Sequence, residues 1–266
     1  MEDKSLVVIG STGTGKSSIC NVLAGRKHDD KDYFPASGAM ESCTNKTTAK
    51  RVNWRGNPAL SFTLIDTPGL NDPEPGKDSL NIAEMADELK KMQHINVFLI
   101  VFNGSNPRFD NSLIAMIRIF QNMFGREFVE KNTVFEFSNW AHDKKSVKRR
   151  GTEKNESHWI AELNKRLREL VGSQGDVPAV FIDSLYDEED DQEINKFEEE
   201  MDKLKKYLTT FPPYSCEGFE AVKTQLDQAE EDKKNLAAKA EAVKKEKERL
   251  EEEARMKNVD LGGNGE

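Results

Sequence analysis

Residues Gly10–Ser17 read GSTGTGKS, which matches the pattern G-x-x-x-x-G-K-[ST] at every fixed position. The apolar run Leu6–Ile9 comes directly before this segment, and the helix-compatible stretch Ser18–Leu23 follows it. A strand, a glycine loop and a helix form the context in which this pattern binds phosphate, because backbone N–H groups converge on the anion at a helix start. The segment therefore predicts that the chain binds a nucleoside triphosphate.

The pattern also assigns roles to the polar residues of the loop. Lys16 is expected to reach the β- and γ-phosphates and to neutralise charge during hydrolysis, while the hydroxyl of Ser17 ligates Mg²⁺. The residues expected to surround the phosphates are Gly10, Ser11, Thr12, Gly13, Thr14, Gly15, Lys16, Ser17 and Ser18.

A second motif, Asp66-Thr67-Pro68-Gly69, follows the apolar run Phe62–Ile65. In a nucleotide-binding α/β domain, an aspartate at the carboxyl end of a strand holds Mg²⁺ directly or through water. We therefore predict that Asp66 is a metal ligand and that the N–H of Gly69 senses the γ-phosphate.

The small polar segment 37–44 precedes the next predicted strand and has the position of a switch that orders on the γ-phosphate. Such a switch supplies a threonine to Mg²⁺. Several hydroxyl groups compete for this role, and we favour Thr44 over Thr47 as the metal ligand and catalytic threonine.

Apolar runs and helical spacings along residues 1–212 predict one α/β domain. Residues 47–54 and the strand that ends at Ile65 read as a hairpin around the turn 55–58, which adds one antiparallel strand. The run Val97–Phe102 reads as a buried central strand. Two later strands, Thr133–Phe137 and Val177–Ile182, flank the helical spacing of Ile160, Leu163, Leu167 and Leu170. We therefore predict a P-loop domain with a mostly parallel, doubly wound sheet and one antiparallel strand.

The region after residue 212 differs in composition. Residues 213–258 are rich in charge and alanine, and an alternating four-three spacing from Val222 to Ala254 gives a heptad seam, which Lys233 and Lys247 interrupt. A weak dimeric coiled coil and a single charged helix with i,i+4 ion pairs both fit this pattern. Residues 259–266 are expected to form a flexible tail.

Charge limits the classes of partner. The net charge of −9 argues against nucleic acid, since no sustained basic face offsets it. The cluster Lys144-Lys145 with Lys148-Arg149-Arg150 is the exception. It reads either as a solvated loop or helix start, or as a contact for acidic lipid, a partner or a phosphate.

Three dispersed cysteines, Cys20, Cys43 and Cys216, lack metal-ligand spacing and fit a reducing compartment. No signal peptide opens the sequence, and no apolar run approaches the roughly 18 residues of a membrane span. We expect a cytoplasmic protein with no transmembrane segment, for which peripheral membrane contact stays open.

The glycine loop near the N-terminus, the turn Asp66-Thr67-Pro68-Gly69-Leu70 and the later strands together resemble the immune-associated nucleotide-binding GTPases (GIMAP, or AIG-type G domain), relatives of septins and of the chloroplast import receptors. The similarity covers about residues 4–210. The segment 103–109, Asn-Gly-Ser-Asn-Pro-Arg-Phe, is similar to that family's characteristic box. The resemblance implies GTP or GDP with Mg²⁺, and an arginine that acts across a nucleotide-dependent dimer, for which the matching position is Arg108.

Leu70 supports a dimer independently of the resemblance. In Ras-like GTPases a glutamine just after the motif's glycine orients the attacking water, and leucine has no hydrogen-bonding group to do so. We therefore expect slow hydrolysis by the monomer and a stimulating group from a second copy of the chain or a related GTPase.

Base recognition departs from the usual Asn/Thr-Lys-x-Asp signature. Asn139 could open the motif, with Trp140 as a flat surface over the base and Asp143 one residue late. Trp140 reads equally as core packing and Asp143 as a helix cap. Asp183 and Ser184 resemble the family's second base-contacting segment, where Asn-Asn is more usual.

Three functions follow from these observations. The first is a slow GTPase whose nucleotide controls dimerisation or assembly. The second is a septin-like scaffold that binds GTP without hydrolysing it, which Leu70 favours. The third is an ATPase, which the irregular base motif leaves open.

Overall fold

The computed structural model describes residues 3–35, 46–70, 77–105, 117–118, 121–122, 124–125, 127–151 and 153–216. All of these lie in the first of two compact units of the chain, residues 1–220. Thr44, Arg108 and the extension from residue 217 onward lie outside the described residues.

A six-stranded sheet forms the centre of the domain. Its strands are β1 (Lys4–Gly10), β2 (Thr48–Trp54), β3 (Asn57–Asp66), β5 (Val97–Asn103), β6 (Thr133–Ser138) and β7 (Ala179–Ile182). Their order is β2-β3-β1-β5-β6-β7, and every neighbouring pair is parallel except β2 with β3. The predicted mostly parallel sheet with one antiparallel strand is confirmed.

The described helices are α1 (Lys16–Leu23), α2 (Lys77–Lys90), α3 (Phe128–Lys131), α4 (Lys144–Arg150), α5 (Glu156–Val171) and α6 (Asp191–Thr210). Helices α1 and α6 share an aliphatic core with one sheet face, in which Ile19 and Met201 are fully buried. Aromatic rings fill the interior elsewhere: Phe98 packs against Phe124 and Phe128, and Phe137 stacks on Phe181. Apolar layers thus fix the strands whose carboxyl ends carry the site.

The last described segment returns to the start of the central strand. Residues Tyr214–Ser215 form β8, which pairs antiparallel with β4 (His94–Ile95) directly before β5. The buried amide of Asn132 donates to the carbonyls of Asn96 (3.0 Å) and Pro212 (2.6 Å), and so ties this segment to the sheet.

Glu136 is an acidic residue inside the core. It lies at the middle of β6 with no exposed surface, and both carboxyl oxygens lack a hydrogen-bond partner among the described residues. Burial raises the pKa of this carboxyl to about 8. The group is therefore mainly neutral in the folded protein at pH 7, although it ionises readily in an unfolded chain.

Replacement of Glu136 by leucine should make the stability of the fold less dependent on pH between 4.5 and about 8. The folded pKa of about 8 lies above the ordinary value of 4.5, so the folded state holds a proton that the unfolded state releases. Wild-type stability should fall as pH rises through this window, by at most about 1.4 kcal/mol per pH unit from this group.

The measurement is urea unfolding of the wild type and of Glu136→Leu across the window from 4.5 to about 8. We expect the difference in unfolding free energy to grow in favour of the variant as pH rises. Parallel pH profiles would show that Glu136 is charged or solvated in the folded protein.

Candidate functional site

The glycine loop connects β1 to α1 at the carboxyl edge of the sheet. Gly15 precedes Lys16, the first residue of α1, with a φ of 97°, a left-handed conformation that favours glycine. The loop is joined to the turn after β3 by two backbone bonds, from the Leu70 N–H to the Gly10 carbonyl (3.2 Å) and from the Thr12 N–H to the Leu70 carbonyl (3.0 Å). The two sequence motifs thus form one site.

Gly69 shows how closely these segments approach. A Cβ atom at this position would lie 2.2 Å from Thr12 Oγ1 and 2.7 Å from Thr12 Cα, so any side chain would push the turn away from the loop. The carbonyl of Gly69 also accepts a bond from Asn81 Nδ2 on α2 at 2.9 Å. The turn therefore links the loop to α2.

Lys16 lies inside the loop. Its Nζ donates to the Ser11 carbonyl at 2.9 Å, and the residue is 6% exposed. Burial lowers the pKa of this ammonium to about 8, while the nearby carboxylate of Asp66 opposes that shift. An anion bound in the loop would stabilise the charged form, because it replaces the solvation that the lysine has lost.

Ser17 and Asp66, the two predicted metal ligands among the described residues, contact each other. The Ser17 hydroxyl donates to Asp66 Oδ2 at 2.8 Å, and Asp66 has no exposed surface. Burial raises the pKa of the Asp66 carboxyl, against the bond from Ser17 and the charge of Lys16. Its second oxygen, Oδ1, has no hydrogen-bond partner among the described residues.

These residues fit Mg²⁺. A hydroxyl and a carboxylate with an uncommitted oxygen suit an ion that takes few protein ligands and completes its octahedron with phosphate and water. Within the described part of the chain, no three His, Cys, Asp or Glu residues gather into a site that could hold a metal by themselves.

Of the two switch threonines, Thr47 lies within the described residues. Its N–H and its hydroxyl both donate to the Glu84 carboxylate on α2, at 2.8 and 2.6 Å from the nearest oxygen. The hydroxyl of Thr47 is thus engaged away from the metal pair. Thr44 lies in the stretch 36–45, outside the described residues, and its role stays a prediction.

Ser138, which sequence reasoning missed, joins the end of β6 to the glycine loop. Its hydroxyl lies 2.7 Å from the Thr14 carbonyl, to which it donates. The contact joins residues 124 positions apart, and the only sequence signal was a hydroxyl at the end of a buried strand. Asn139 follows with a φ of 52° and is partly buried, so the chain turns sharply beside the loop.

Trp140 makes the contacts of a core residue and Asp143 those of a helix cap, the two alternatives to a role in base contact. Trp140 is 1% exposed, packs against Phe181 at a centroid distance of 4.8 Å, and carries the Arg150 guanidinium over its ring at 4.2 Å. Asp143 is the N-cap of α4, where one carboxylate oxygen accepts from the N–H groups of Lys145 and Ser146 at 2.9 Å. The side-chain hydrogen bond from Ser146, together with these backbone bonds, lowers the pKa of Asp143.

The second predicted base segment lies next to the first. Ser138 pairs with Ile182 in the parallel register of β6 and β7, so Asp183 and Ser184 emerge beside Asn139. Asp183 is 8% exposed and accepts the N–H of Leu185 at 3.0 Å. Leu185, a large apolar residue 60% exposed, stands at the same edge.

Leu70 is 2% exposed, and its side chain belongs to the core. Of the box after β5, residues 103–105 are described, and the Gly104 N–H donates to the Ser138 carbonyl at 2.7 Å. Arg108 lies outside the described residues.

The described helices include none with the length and apolarity that a bilayer crossing requires.

The fold is similar to that of chloroplast import GTPases. A structure described as "Dimerization is important for the GTPase activity of chloroplast translocon components atToc33 and psToc159" superposes with a TM-score of 0.60 at 18% identity, covering 79% of this chain and 82% of that chain. Toc33 from Arabidopsis thaliana in complex with Mg²⁺ and GMPPNP gives a TM-score of 0.55 at 17% identity, with 81% and 88% covered.

A dimerization-deficient mutant of Arabidopsis thaliana Toc33 gives a TM-score of 0.55 at 18% identity, with 79% and 84% covered. No curated protein matches this sequence. The model of the AIG1 family matches residues 4–233, which include both motifs and every described element of the sheet. The chain belongs to the AIG1 family.

Proposed function

We propose that this chain is a Mg²⁺-dependent GTP-binding protein and slow GTPase whose nucleotide state controls dimerisation or assembly. The observation that carries the proposal is the joined site, in which buried Lys16 lies in the glycine loop and Ser17 bonds Asp66 at 2.8 Å. The Toc33 complex with Mg²⁺ and GMPPNP, a protein of the same fold, supports this choice of ligand.

Each residue of the site has a separate role in the proposed phosphoryl transfer. The loop N–H groups and Lys16 would hold the phosphates, and Ser17 with Asp66 would hold Mg²⁺, whose positive charge would stabilise the transferred phosphoryl group. Thr44 and the N–H of Gly69 sense the γ-phosphate. Because the Gly69 carbonyl is bonded to Asn81, movement of this turn would pass to α2.

The burial of Leu70 supports an active site that a second molecule completes. Its side chain is 2% exposed and apolar, so it neither reaches nor orients a water. We assign the missing charge to Arg108 of a second copy, since an arginine supplied in trans accelerates GTPases by about 10³–10⁵. The description that ties dimerization of Toc33 to its GTPase activity supports this assignment.

For the base we favour guanine, held by Asn139, Asp183 and Ser184 where β6 and β7 end side by side. Trp140 and Asp143 would then act by shaping this loop, because the first is in the core and the second caps α4.

The remaining proposals are a cytoplasmic location, a homodimer or a pair with a related GTPase, and a charged helical extension over 213–258 that responds to the nucleotide.

A second candidate, a GTP-bound scaffold that does not hydrolyse its nucleotide, is favoured by Leu70 alone. It shares the binding site with the first. The two differ in whether turnover rises when molecules associate.

Replacement of Lys16 by alanine should weaken GTP binding by about tenfold to a hundredfold, because charge-assisted bonds to phosphate contribute roughly 1.5–3 kcal/mol. Fluorescent GTP titration measures the dissociation constant. Lys205→Ala, which removes the same charge from α6, serves as the control and should leave the constant unchanged. Equal affinity of wild type and Lys16→Ala would refute the site.

Specific GTPase activity of the wild type should rise with protein concentration if association completes the site. Phosphate release per molecule over a hundredfold range tests this, and Arg108→Ala should stay flat and slow. Flat, near-zero turnover of the wild type would favour the scaffold.

Mixing the two variants tests the trans arrangement. Arg108→Ala retains the glycine loop and Lys16→Ala retains the arginine, so the mixture should recover turnover that neither variant shows alone. A mixture as inactive as its components would contradict an arginine supplied in trans.

A further inference from the structure

The basic cluster noted in the sequence has no role in the proposed GTPase. In the structure it forms α4, directly after the loop that carries Asn139. Beside this helix lies a cavity of about 490 Å³. Its lining includes three cations, Arg149, Arg150 and Lys154, and two indoles, Trp140 and Trp159. Asn139, which we place at the base, also lines it, so the cavity adjoins the proposed nucleotide site.

Among the described residues, carboxylates act on the cations of the cavity only at longer range, as Glu156, Asp143 and Asp183 do on Arg150. Among the described residues, no carboxylate forms an ion pair with Arg149, Arg150 or Lys154. A local excess of positive charge is unusual in a chain whose net charge is −9, because abundant carboxylates are available to neutralise it.

Two of these carboxylates, Asp143 and Glu156, accept hydrogen bonds from other donors. Asp143 caps α4 through the N–H groups of Lys145 and Ser146. The Glu156 carboxylate accepts the indole N–H of Trp140 at 3.1 Å and lies 4.0 Å from His142 Nδ1. If Glu156 turned into the cavity, the indole N–H of buried Trp140 would lose this acceptor.

Arg150 is the most enclosed of the three cations. It is partly buried, and its guanidinium lies over the Trp140 ring at a distance of 4.2 Å. Burial lowers the pKa of this guanidinium. The indole contributes a cation–π contact but no hydrogen-bond acceptor in the guanidinium plane, so the planar donors stay available to an anion.

We propose that this cavity binds a phosphate group, carried by a soluble phosphorylated molecule or by a lipid headgroup. Two guanidinium groups and an ammonium offer the forked and point-charge donors that phosphate oxygens accept. The indole of Trp159 supplies an apolar wall for the part of the ligand that carries the phosphate.

A pair of double variants with equal charge separates this site from general electrostatic attraction. Arg149→Gln with Lys154→Gln removes two cations that line the cavity. Lys144→Gln with Lys148→Gln removes two exposed cations from α4 that do not line it. All four residues are exposed, so both variants should fold, which circular dichroism verifies.

Calorimetric titration with inorganic pyrophosphate, in excess GDP and Mg²⁺ to occupy the glycine loop, measures binding at the cavity. Cosedimentation with phosphatidylcholine vesicles, with and without phosphatidylinositol phosphate, tests the lipid source. We expect the cavity variant to lose about tenfold or more in affinity and the α4 control to stay near the wild type. Since the glycine loop is intact in both variants, their difference reports the cavity even if GDP does not bind.

Cavity-dependent binding of pyrophosphate alone would support a soluble ligand, and cavity-dependent binding of the phosphoinositide vesicles would support a lipid headgroup. Equal losses in the two variants would overturn the proposal, because the attraction would then be diffuse. Failure of the wild type to bind either probe would overturn it as well.

Discussion

The burial of two opposite charges within one site is the constraint on which the rest of the site depends. Lys16 begins α1 and Asp66 ends β3, and both are almost completely enclosed. Desolvation alone disfavours each charge, lowering one pKa and raising the other, and each charge opposes the shift of its neighbour. A phosphate with its metal ion supplies the missing counter-charges, so the protein retains in its fold a polar arrangement that is most favourable when a ligand is present.

The segments around this pair are held by buried amides rather than by further charges. Asn21, on α1, donates to the carbonyls of Asp30 (2.8 Å) and Phe34 (2.9 Å) and accepts the Phe34 N–H (3.0 Å). Asn164 joins α5 to Val177 in the same reciprocal way. Neutral amides fix loops at a fraction of the desolvation cost of an ion pair. Buried carboxyl groups also occur away from the phosphate loop, at Glu136 on β6 and at Glu193 and Glu200 on α6.

Local patterns predicted the strands and the phosphate loop because each is encoded by a few adjacent residues. The glycine loop and Asp66 carry their geometry in their own spacing, and the apolar runs at Leu6 and Val97 became buried strands. Helix α6 was missed although Phe197, Met201, Leu204 and Leu208 recur at helical spacing, because charged residues dominate the segment.

The base region could not be predicted from local patterns. The bond from Ser138 to the Thr14 carbonyl and the contact of Arg150 with Trp140 depend on how distant segments pack. The sequence alone left the choice between a base contact and a core or capping role for Trp140 and Asp143 open. In the structure Trp140 is buried against Phe181, and Asp143 accepts N–H groups at the start of α4.

The pairing of β4 with β8 has a consequence for communication within the molecule. This small ladder lies just before β5 begins, at the amino end of the central strands, whereas the phosphate loop lies at their carboxyl end. The last described residues, Tyr214 to Cys216, therefore lie at the end of the domain opposite the phosphate loop. A strand of seven residues spans roughly 23 Å. A change at the phosphate loop that reaches β8 would have to cross that length of packed sheet, through the core itself or through a helix that runs beside it.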